Sequence, residues 1–363
     1  MSDTEAALLE TPTPNHAERR RPQFSPLTQR RWANFKANKR GYWSLWIIGT
    51  LVFASLFAEV IANDKPIILK YKGNFYIPMI FEYPETEFGG VFETEAHYAS
   101  PVVQDLVEKG NGWMLWPPIP FSHDTIDRHT EGTVPAAPSK RHWLGTDDVA
   151  RDVTARLIYG FRLSVLFGLA LTLITSVIGI TVGSSQGYFG GLVDLIGQRV
   201  VEVWSGLPTL FVIIVLASIF EPNPFILLSL LVMFNWMALV AVVRAEFLRT
   251  RNFEYVNAAR ALGERDLKIM FKYVLPNAMV ATLTFLPFIL NGSITTLTSL
   301  DFLGFGLPAG YPSLGELLAQ GKANLHAPWL GLSGFFTLAI MLTLLVFVGE
   351  GVRDAFDPRR AIN

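Results

Sequence analysis

Residues 244–277 read RAEFLRTRNFEYVNAARALGERDLKIMFKYVLPN, a charged, helix-patterned segment with apolar stretches on both sides. It carries seven basic residues: Arg244, Arg249, Arg251, Arg260, Arg265, Lys268 and Lys272. A loop between two membrane spans with that much Lys and Arg is expected on the cytoplasmic side. Within it, Phe253 to Leu262 predicts a short helix. Ala258, Ala259, Ala261 and Leu262 are strong helix formers, and Gly263 suits the position just past a helix end. A second helix is expected from Arg265 to Leu275, stopping at Pro276. A helix–Gly–helix held at a membrane surface is shaped for docking into another protein. The residues expected to dock are Asn257, Ala258, Ala259, Arg260, Leu262 and Gly263.

The composition agrees with a membrane setting. Half of the residues are hydrophobic and 17% are charged, below the ~25% usual in soluble domains, so the chain reads as an all-α integral membrane protein. A net charge of −1 provides no field for nucleic acid. Without cysteine, the chain can form neither a disulfide nor a thiolate metal site. The nearest approach to a phosphate-cradling loop, Gly315 to Lys322, has the wrong glycine spacing and ends in Ala323 instead of Ser or Thr. No cofactor is therefore expected on this chain. A docking loop without an ATPase implies a motor on another chain.

Residues 1–24 read as a disordered cytoplasmic tail without the apolar core of a cleavable signal peptide. Residues 25–42, with Arg30, Arg31, Lys36, Lys39 and Arg40 around Trp32 and Phe35, predict a basic elbow helix lying on membrane lipid. A nucleic-acid patch has similar composition, but an apolar run follows at once. Six spans are expected, at 43–62, 162–183, 200–220, 225–243, 277–300 and 329–348. Each is close to the ~20 residues needed to cross ~30 Å of hydrocarbon. Both termini would be cytoplasmic. Residues 187–199 read as a short Gly-rich turn, 244–276 as the cytoplasmic loop, and 349–363 as a cytoplasmic tail. Residues 301–328 read as an outer loop whose amphipathic turn at Leu314 to Leu318 is too short to cross.

Residues 63–161 form a small mixed extracytoplasmic insert between the first two spans. The alternation from Ile67 to Ile80 predicts one or two short strands turning at Gly73-Asn74. Trp113, Trp116 and Trp143 read as core or membrane contacts rather than as a peptide cage. Pro208 should kink the third span. Glu202, Asn235 and Asn291 are candidates to line a translocation path, since polar groups inside spans face protein or water. For Glu202 a simpler reading is an ion pair with Arg199. His142, Asp147, Asp148 and Asp152 have metal-ligand chemistry. Arg151, Arg156 and Arg162 interleave with them, so ion pairing at a helix start is expected and no metal is assigned.

The spacing of Asn257-Ala258-Ala259, Gly263 and Leu275-Pro276 resembles the EAA loop of ABC-importer permeases, with Asn257 where Glu is usual and Tyr273 where His is frequent. HWLGTDDVARDVTARLIYGFRLS at 142–164 resembles the HPLGTDxxGRDVxxRLxYGxRxSL signature of dipeptide and oligopeptide permeases, with Trp143 for Pro and Ala150 for Gly. The segments FLGFGLPAGYPSLGELL…APW at 302–329 and GEGVRDAFDPR at 349–359 are similar to further motifs of that family. The resemblance extends from Arg30 to Arg360. It implies a type I ABC-importer permease fold, with 244–276 as the coupling loop that sits in a cleft of an ATP-binding subunit. It also implies import of oligopeptides or peptide-like antibiotics such as microcin C across the bacterial inner membrane. The implied partners are a second homologous permease in a heterodimer, two ATP-binding subunits or one fused, and a periplasmic peptide-binding protein. Among rival readings, a secondary transporter needs mid-membrane charges that the spans nearly lack. An enzyme needs a convergent nucleophile and base, and six scattered His with no Cys offer none. A membrane-anchored sensor or scaffold using the insert would leave the 244–276 loop unexplained.

Overall fold

The computed structural model describes residues 26–130, 132–220, 223–308 and 310–357. The tail expected at 1–24 and the last residues of the C-terminal tail lie outside them. Helix α1 (Pro26–Ala37) meets α2 (Lys39–Leu56) at Asn38. The Asn38 side chain caps α2 by accepting from the Gly41 amide at 3.0 Å, and its Nδ2 donates to Asp354 at 2.7 Å. The chain breaks at Phe57 and turns once more as α3 (Ala58–Ile61). The expected first span, 43–62, is thus two helices.

The insert folds around its own small core. Strand β1 (Ile68–Tyr71) pairs antiparallel with β2 (Asn74–Tyr76) and with β3 (Trp113–Leu115), giving the order β2-β1-β3. The turn is made by Lys72 and Gly73, with φ of 47° and 88°, the double positive φ that a tight hairpin requires. Leu69, Tyr71, Phe88, Tyr98, Val103 and Val107 pack beneath the sheet. The last two come from α4 (Pro101–Lys109), capped by Ser100. Trp116 joins this core, whereas Trp113 and Trp143 are exposed.

Four helical stretches are long and apolar enough to cross a membrane: Val153–Phe189, Pro224–Thr250, Asp266–Phe302 and Pro328–Phe356. A bent pair, α6 (Gly191–Ser205) and α7 (Thr209–Ile219), would be a fifth if counted as one span. α2 does not meet that measure; its 18 residues begin with Lys39 and Arg40. The expected third span, 200–220, is corrected to this pair, bent by 72° at Gly206 to Pro208. Pro208 has no amide hydrogen to continue the helix. The turn expected at 187–199 is corrected as well. α5 (Val153–Phe189) runs through Gly187, and only Gly190 separates it from α6.

Two corrections concern the opening stretch. α8 (Pro224–Asn235) and α9 (Met237–Thr250) stay helical past Val243, so residues 244–250 belong to the long helix and not to the loop. Val243, Phe247 and Thr250 continue the buried stripe at helical spacing. Beyond the short α10 (Glu254–Ala261), α11 (Asp266–Ile269) passes through a π turn at Met270–Val274 into α12 (Leu275–Phe302). The expected stop at Pro276 does not occur. The wider π turn, in which the Leu275 amide bonds to Met270 O, lies over the place where a proline ring would crowd an ordinary α-turn. α13 (Leu314–Ala323) and α14 (Pro328–Phe356) complete the chain.

The bundle has two ends. α5 begins at the insert end and finishes beside α10 at the loop end. Ile48, Val153, Leu157, Ile294, Leu314 and Met341 belong to one core joining α2, α5, α12, α13 and α14. At the loop end, Tyr188, Val243, Phe247, Val256, Ile269 and Val274 form a second.

Candidate functional site

The loop is carried by α9, and α9 lies very close to α5. Gly179, Gly183 and Gly187 recur every fourth residue along α5. A Cβ on them would lie 2.6 Å from Trp236 O, 2.8 Å from Val240 O and 2.6 Å from Arg244 O, respectively. Backbone meets backbone there, as small residues at such spacing allow. Polar ties fasten the rest. Arg244 donates two hydrogen bonds to the Asp194 carboxylate, at 2.5 and 2.7 Å. Arg251 donates to the carbonyls of Gly187 and Tyr188 at 3.1 and 3.3 Å, and the Tyr188 hydroxyl donates to Asp266 at 2.7 Å.

On that anchor α10 buries one face and exposes the other. Val256 and Ala259 join the loop-end core, while Asn257, Ala258, Arg260, Leu262 and Gly263 are exposed. Ala259 therefore holds the helix down instead of facing a partner. Arg260 donates to Asn257 Oδ1 at 3.4 Å, and Asn257 Nδ2 donates to Asn252 O at 3.3 Å. The helix ends in a Schellman cap. The Glu264 amide bonds to Ala259 O at 3.2 Å, the Gly263 amide bonds to Arg260 O at 3.0 Å, and Gly263 has a φ of 77°. The cap projects Leu262, 84% exposed, with Leu267 and Phe271 also exposed nearby in the chain. Together with the exposed Phe253 and Tyr255, these apolar side chains standing out of a charged loop are the chemistry of a protein contact. Leu267 and Phe271 were not singled out from sequence, although they stand four apart on one helix.

The three expected path residues do not converge. Glu202, on the exposed α6, pairs with Arg199 at 2.5 Å. Asn235 Nδ2 donates to Leu231 O of its own helix at 2.8 Å, and Asn291 Nδ2 crosses to Leu342 O on α14 at 3.0 Å. Among the described residues no hydrogen bond links any two of them. Asn291 ties two long helices together; the other two are satisfied locally.

At the insert end, the acidic and basic residues of 142–164 form a buried ionic network. Asp152 caps α5 by accepting from the Ala155 amide at 2.8 Å. His142 lies between Asp152, 2.8 Å from Nδ1, and Asp127, 3.1 Å from Nε2. Each ring nitrogen thus faces a carboxylate. Burial works against the charged ring, but these two carboxylates hold the His142 pKa above its ordinary value. Asp127 is held below the usual carboxylate range: burial opposes this, but the His129 amide and His142, with Arg141 beside them, outweigh it. Arg151 pairs with Asp147 at 2.7 Å and with Glu316 at 3.1 Å, and the wholly buried Arg156 donates to Glu316 at 2.5 Å. Glu316 belongs to α13, so this network clamps that helix to the start of α5, a partner the sequence did not disclose. Arg162 pairs with Glu59 at 2.8 Å. Ala150, where the resembled signature has Gly, adopts a φ of 65°. Among the described residues no group of three or more His, Asp or Glu is placed to hold a metal ion.

Comparison with known proteins was made against this geometry. Residues 176–362 match the family described as binding-protein-dependent transport system inner membrane component. Residues 25–78 match the N-terminal TM domain of oligopeptide transport permease C. The chain belongs to this family of ABC-transporter permeases. Its most similar curated relatives include the inner membrane ABC transporter permease protein YejE of Escherichia coli, 58% identical over 94% of this chain and 99% of that protein. The peptidoglycan transport system permease protein YejE of Agrobacterium fabrum is 56% identical over 94% of this chain and 95% of that protein. More distant is the oligopeptide transport system permease protein OppC of Bacillus subtilis, 34% identical over 61% of this chain. A solved inward-facing MetNI methionine ABC transporter aligns with a TM-score of 0.44 at 16% identity over 55% of this chain and 96% of that one. The family is one of inner-membrane transport components, in keeping with the apolar helices described above.

Proposed function

We propose that this chain is a permease subunit of an ATP-binding-cassette importer that moves oligopeptides, or peptide-like antibiotics such as microcin C, across the bacterial inner membrane. The observation that carries the reading is the loop-end surface. It is a short helix anchored by Val256 and Ala259, closed by a Schellman cap, with Leu262 projecting outward. The oligopeptide permease OppC suggests the substrate class, and the YejE relative of Agrobacterium fabrum, described as a peptidoglycan transport permease, points to peptide-bearing cargo as well. Docking would involve Asn257, Ala258, Arg260, Leu262 and Gly263 directly and Ala259 as their anchor. The motor would be two separate ATP-binding subunits or one fused, holding ATP and Mg. A second homologous permease would complete a heterodimer, and a periplasmic peptide-binding protein would deliver substrate near the insert.

Six spans, the sixth being α2, would place both termini and the 251–265 loop in the cytoplasm and the insert in the periplasm. Closure of the motor would move α10 as a rigid body, and α9 and α12 would transmit the motion. Nucleotide can bias transport only by favouring one of two bundle states over the other. The deciding experiment is co-purification of the tagged chain in mild detergent with an ATPase assay. Co-elution of ATP-binding subunits and a second permease, lost in a Leu262→Asp variant, is expected. A chain that purifies alone and supports no ATP-dependent uptake would overturn the reading.

A further inference from the structure

The insert carries an open sheet face that the loop-end surface does not explain. Side chains alternate across a strand, so the register sorts the three strands into two faces. Leu69, Tyr71, Tyr76 and Met114 point into the insert core. On the opposite face Lys70 has Phe75 beside it on one neighbouring strand and Trp113 on the other, and Ile68 has Leu115. Phe75, Trp113 and Leu115 are all exposed, Phe75 by 66%. Aromatic and aliphatic side chains gathered on one exposed face are what protein interfaces are rich in.

The centre of this face is a cation. The Lys70 ammonium lies 5.5 Å from the centre of the Phe75 ring, within the range over which a ring attracts a charge. Lys72, in the hairpin turn, stands over Tyr71 in the same way at 5.1 Å. Lys65 and Lys109, also in the insert, are matched with Glu95 and Asp105. Among the described residues no carboxylate is paired with Lys70 or Lys72. A lysine in the middle of an apolar contact loses its water on docking and needs an acceptor from the partner to offset that loss. The partner that fits is therefore an apolar patch with a carboxylate at its centre. A second copy of this chain, docked face to face about a twofold axis, would bring Lys70 toward Lys70 and does not fit.

We propose that this sheet face is the docking surface for the periplasmic peptide-binding protein, which presents an acidic residue within an apolar patch to Lys70. The assignment rests on the importer reading above. The sheet is built to hold such a partner in a fixed place. The Ile67 amide donates to Leu115 O at 2.8 Å and the Asn63 amide to Ile119 O at 3.1 Å, so β1 and β3 are tied together where the insert leaves the bundle. Ala62 and Ile119 there share a core with Ala155 and Tyr159 of α5.

The chain has no cysteine, so Phe75→Cys supplies a single reporter, and the exposure of Phe75 means that its replacement leaves the insert core intact. In the complete transporter, reconstituted in nanodiscs, this cysteine is expected to react with a soluble maleimide and to be protected by its own purified binding protein. Lys70→Glu should weaken binding of that protein about tenfold, the equivalent of ~1.4 kcal/mol. Lys70→Gln with Lys72→Gln should make the binding less sensitive to salt. Basal ATP hydrolysis and the melting temperature should stay unchanged in both. Wild-type affinity in Lys70→Glu and in Trp113→Ser would overturn the assignment. So would a Phe75→Cys that is labelled equally with and without the binding protein, or one already protected in the transporter alone, because the second permease or the bilayer would then cover the face. Binding and peptide uptake that survive every change on the face overturn the docking surface only. A wild-type transporter that neither binds the protein nor takes up peptide overturns the importer reading and this surface with it.

Discussion

Gly263 is required for its backbone and not for its lack of bulk. A Cβ there would meet nothing within 4 Å, yet φ is 77°. A β-branched side chain in that region costs on the order of 1–2 kcal/mol. Gly263→Val should open the Schellman cap, and uptake should fall about tenfold, the equivalent of ~1.4 kcal/mol, while the partner subunits still hydrolyse ATP. Wild-type uptake by this variant would remove the cap from the coupling route. Ala150 shows the reverse situation: it holds a φ of 65° with a side chain. Ala150→Gly should relieve about 1 kcal/mol and raise the melting temperature by about 2 °C; a lower melting temperature would mean the Ala methyl contributes more than its strain costs. His142 predicts a pH effect. Its raised pKa means that its stabilisation is full below about pH 6.5, the unfolded value, and is lost as pH rises through the folded value. Asp127, held low, has the opposite sign: its contribution is present above about pH 3.9 and is lost as pH falls. Melting of the detergent-solubilised protein between about pH 6 and 9 should therefore decline with pH in the wild type and flatten in His142→Gln. Parallel slopes would exclude His142 as the cause.

At the scale of elements, the contact between α5 and α9 determines whether the loop is a lever or a tether. Their glycine-lined approach leaves no room for a side chain: a Cβ at Gly183 would sit 2.8 Å from Val240 O and 3.0 Å from Val243 Cβ. Gly183→Leu should force the helices apart at a cost of ~1–3 kcal/mol. The ties from Arg251 to Gly187 and from Tyr188 to Asp266 would then weaken together. Faster proteolysis within residues 251–265, with the other helices protected, is the expected result. Unchanged cleavage would mean that the loop is held by α12 alone. The same reasoning explains why the long helices overran their expected ends. Arg244 remains in a helix because Asp194 on α6 receives both its hydrogen bonds, and Pro276 remains in one because the π turn precedes it.

At the scale of the whole molecule, the two ends of the bundle have opposite character. One carries an aromatic-cored insert and an ionic clamp, the other an exposed short helix and a polar cleft. If six spans place these ends on opposite sides of the membrane, single cysteines can report it. Gln104→Cys, on exposed α4, should react with a membrane-impermeant maleimide added to intact spheroplasts. Leu262→Cys should react only after permeabilisation. The inverse pattern would reverse the orientation, and labelling of both from one side would exclude an odd number of spans between them.

The helical runs, the short loop helix with its Gly cap and the hairpin of the insert were legible in the sequence because each depends on neighbours a few residues away. Apolar stretches of span length, Ala-rich turns and Gly at a positive φ carry their meaning locally. The motifs at 142–164, 257–276 and 302–329 implied a permease through their resemblance to a known family. What the sequence could not decide was which charges meet. Arg156 finds Glu316 at a separation of 160 residues, and Arg244 finds Asp194 at 50. Strand β3 joins a sheet begun more than forty residues earlier. Helix ends, the burial of Ala259 and the dispersal of Glu202, Asn235 and Asn291 followed from those pairings. A charge or proline is tolerated in a long helix only where another element supplies a partner or a change of pitch, and which element lies alongside is decided by the packing of the complete bundle.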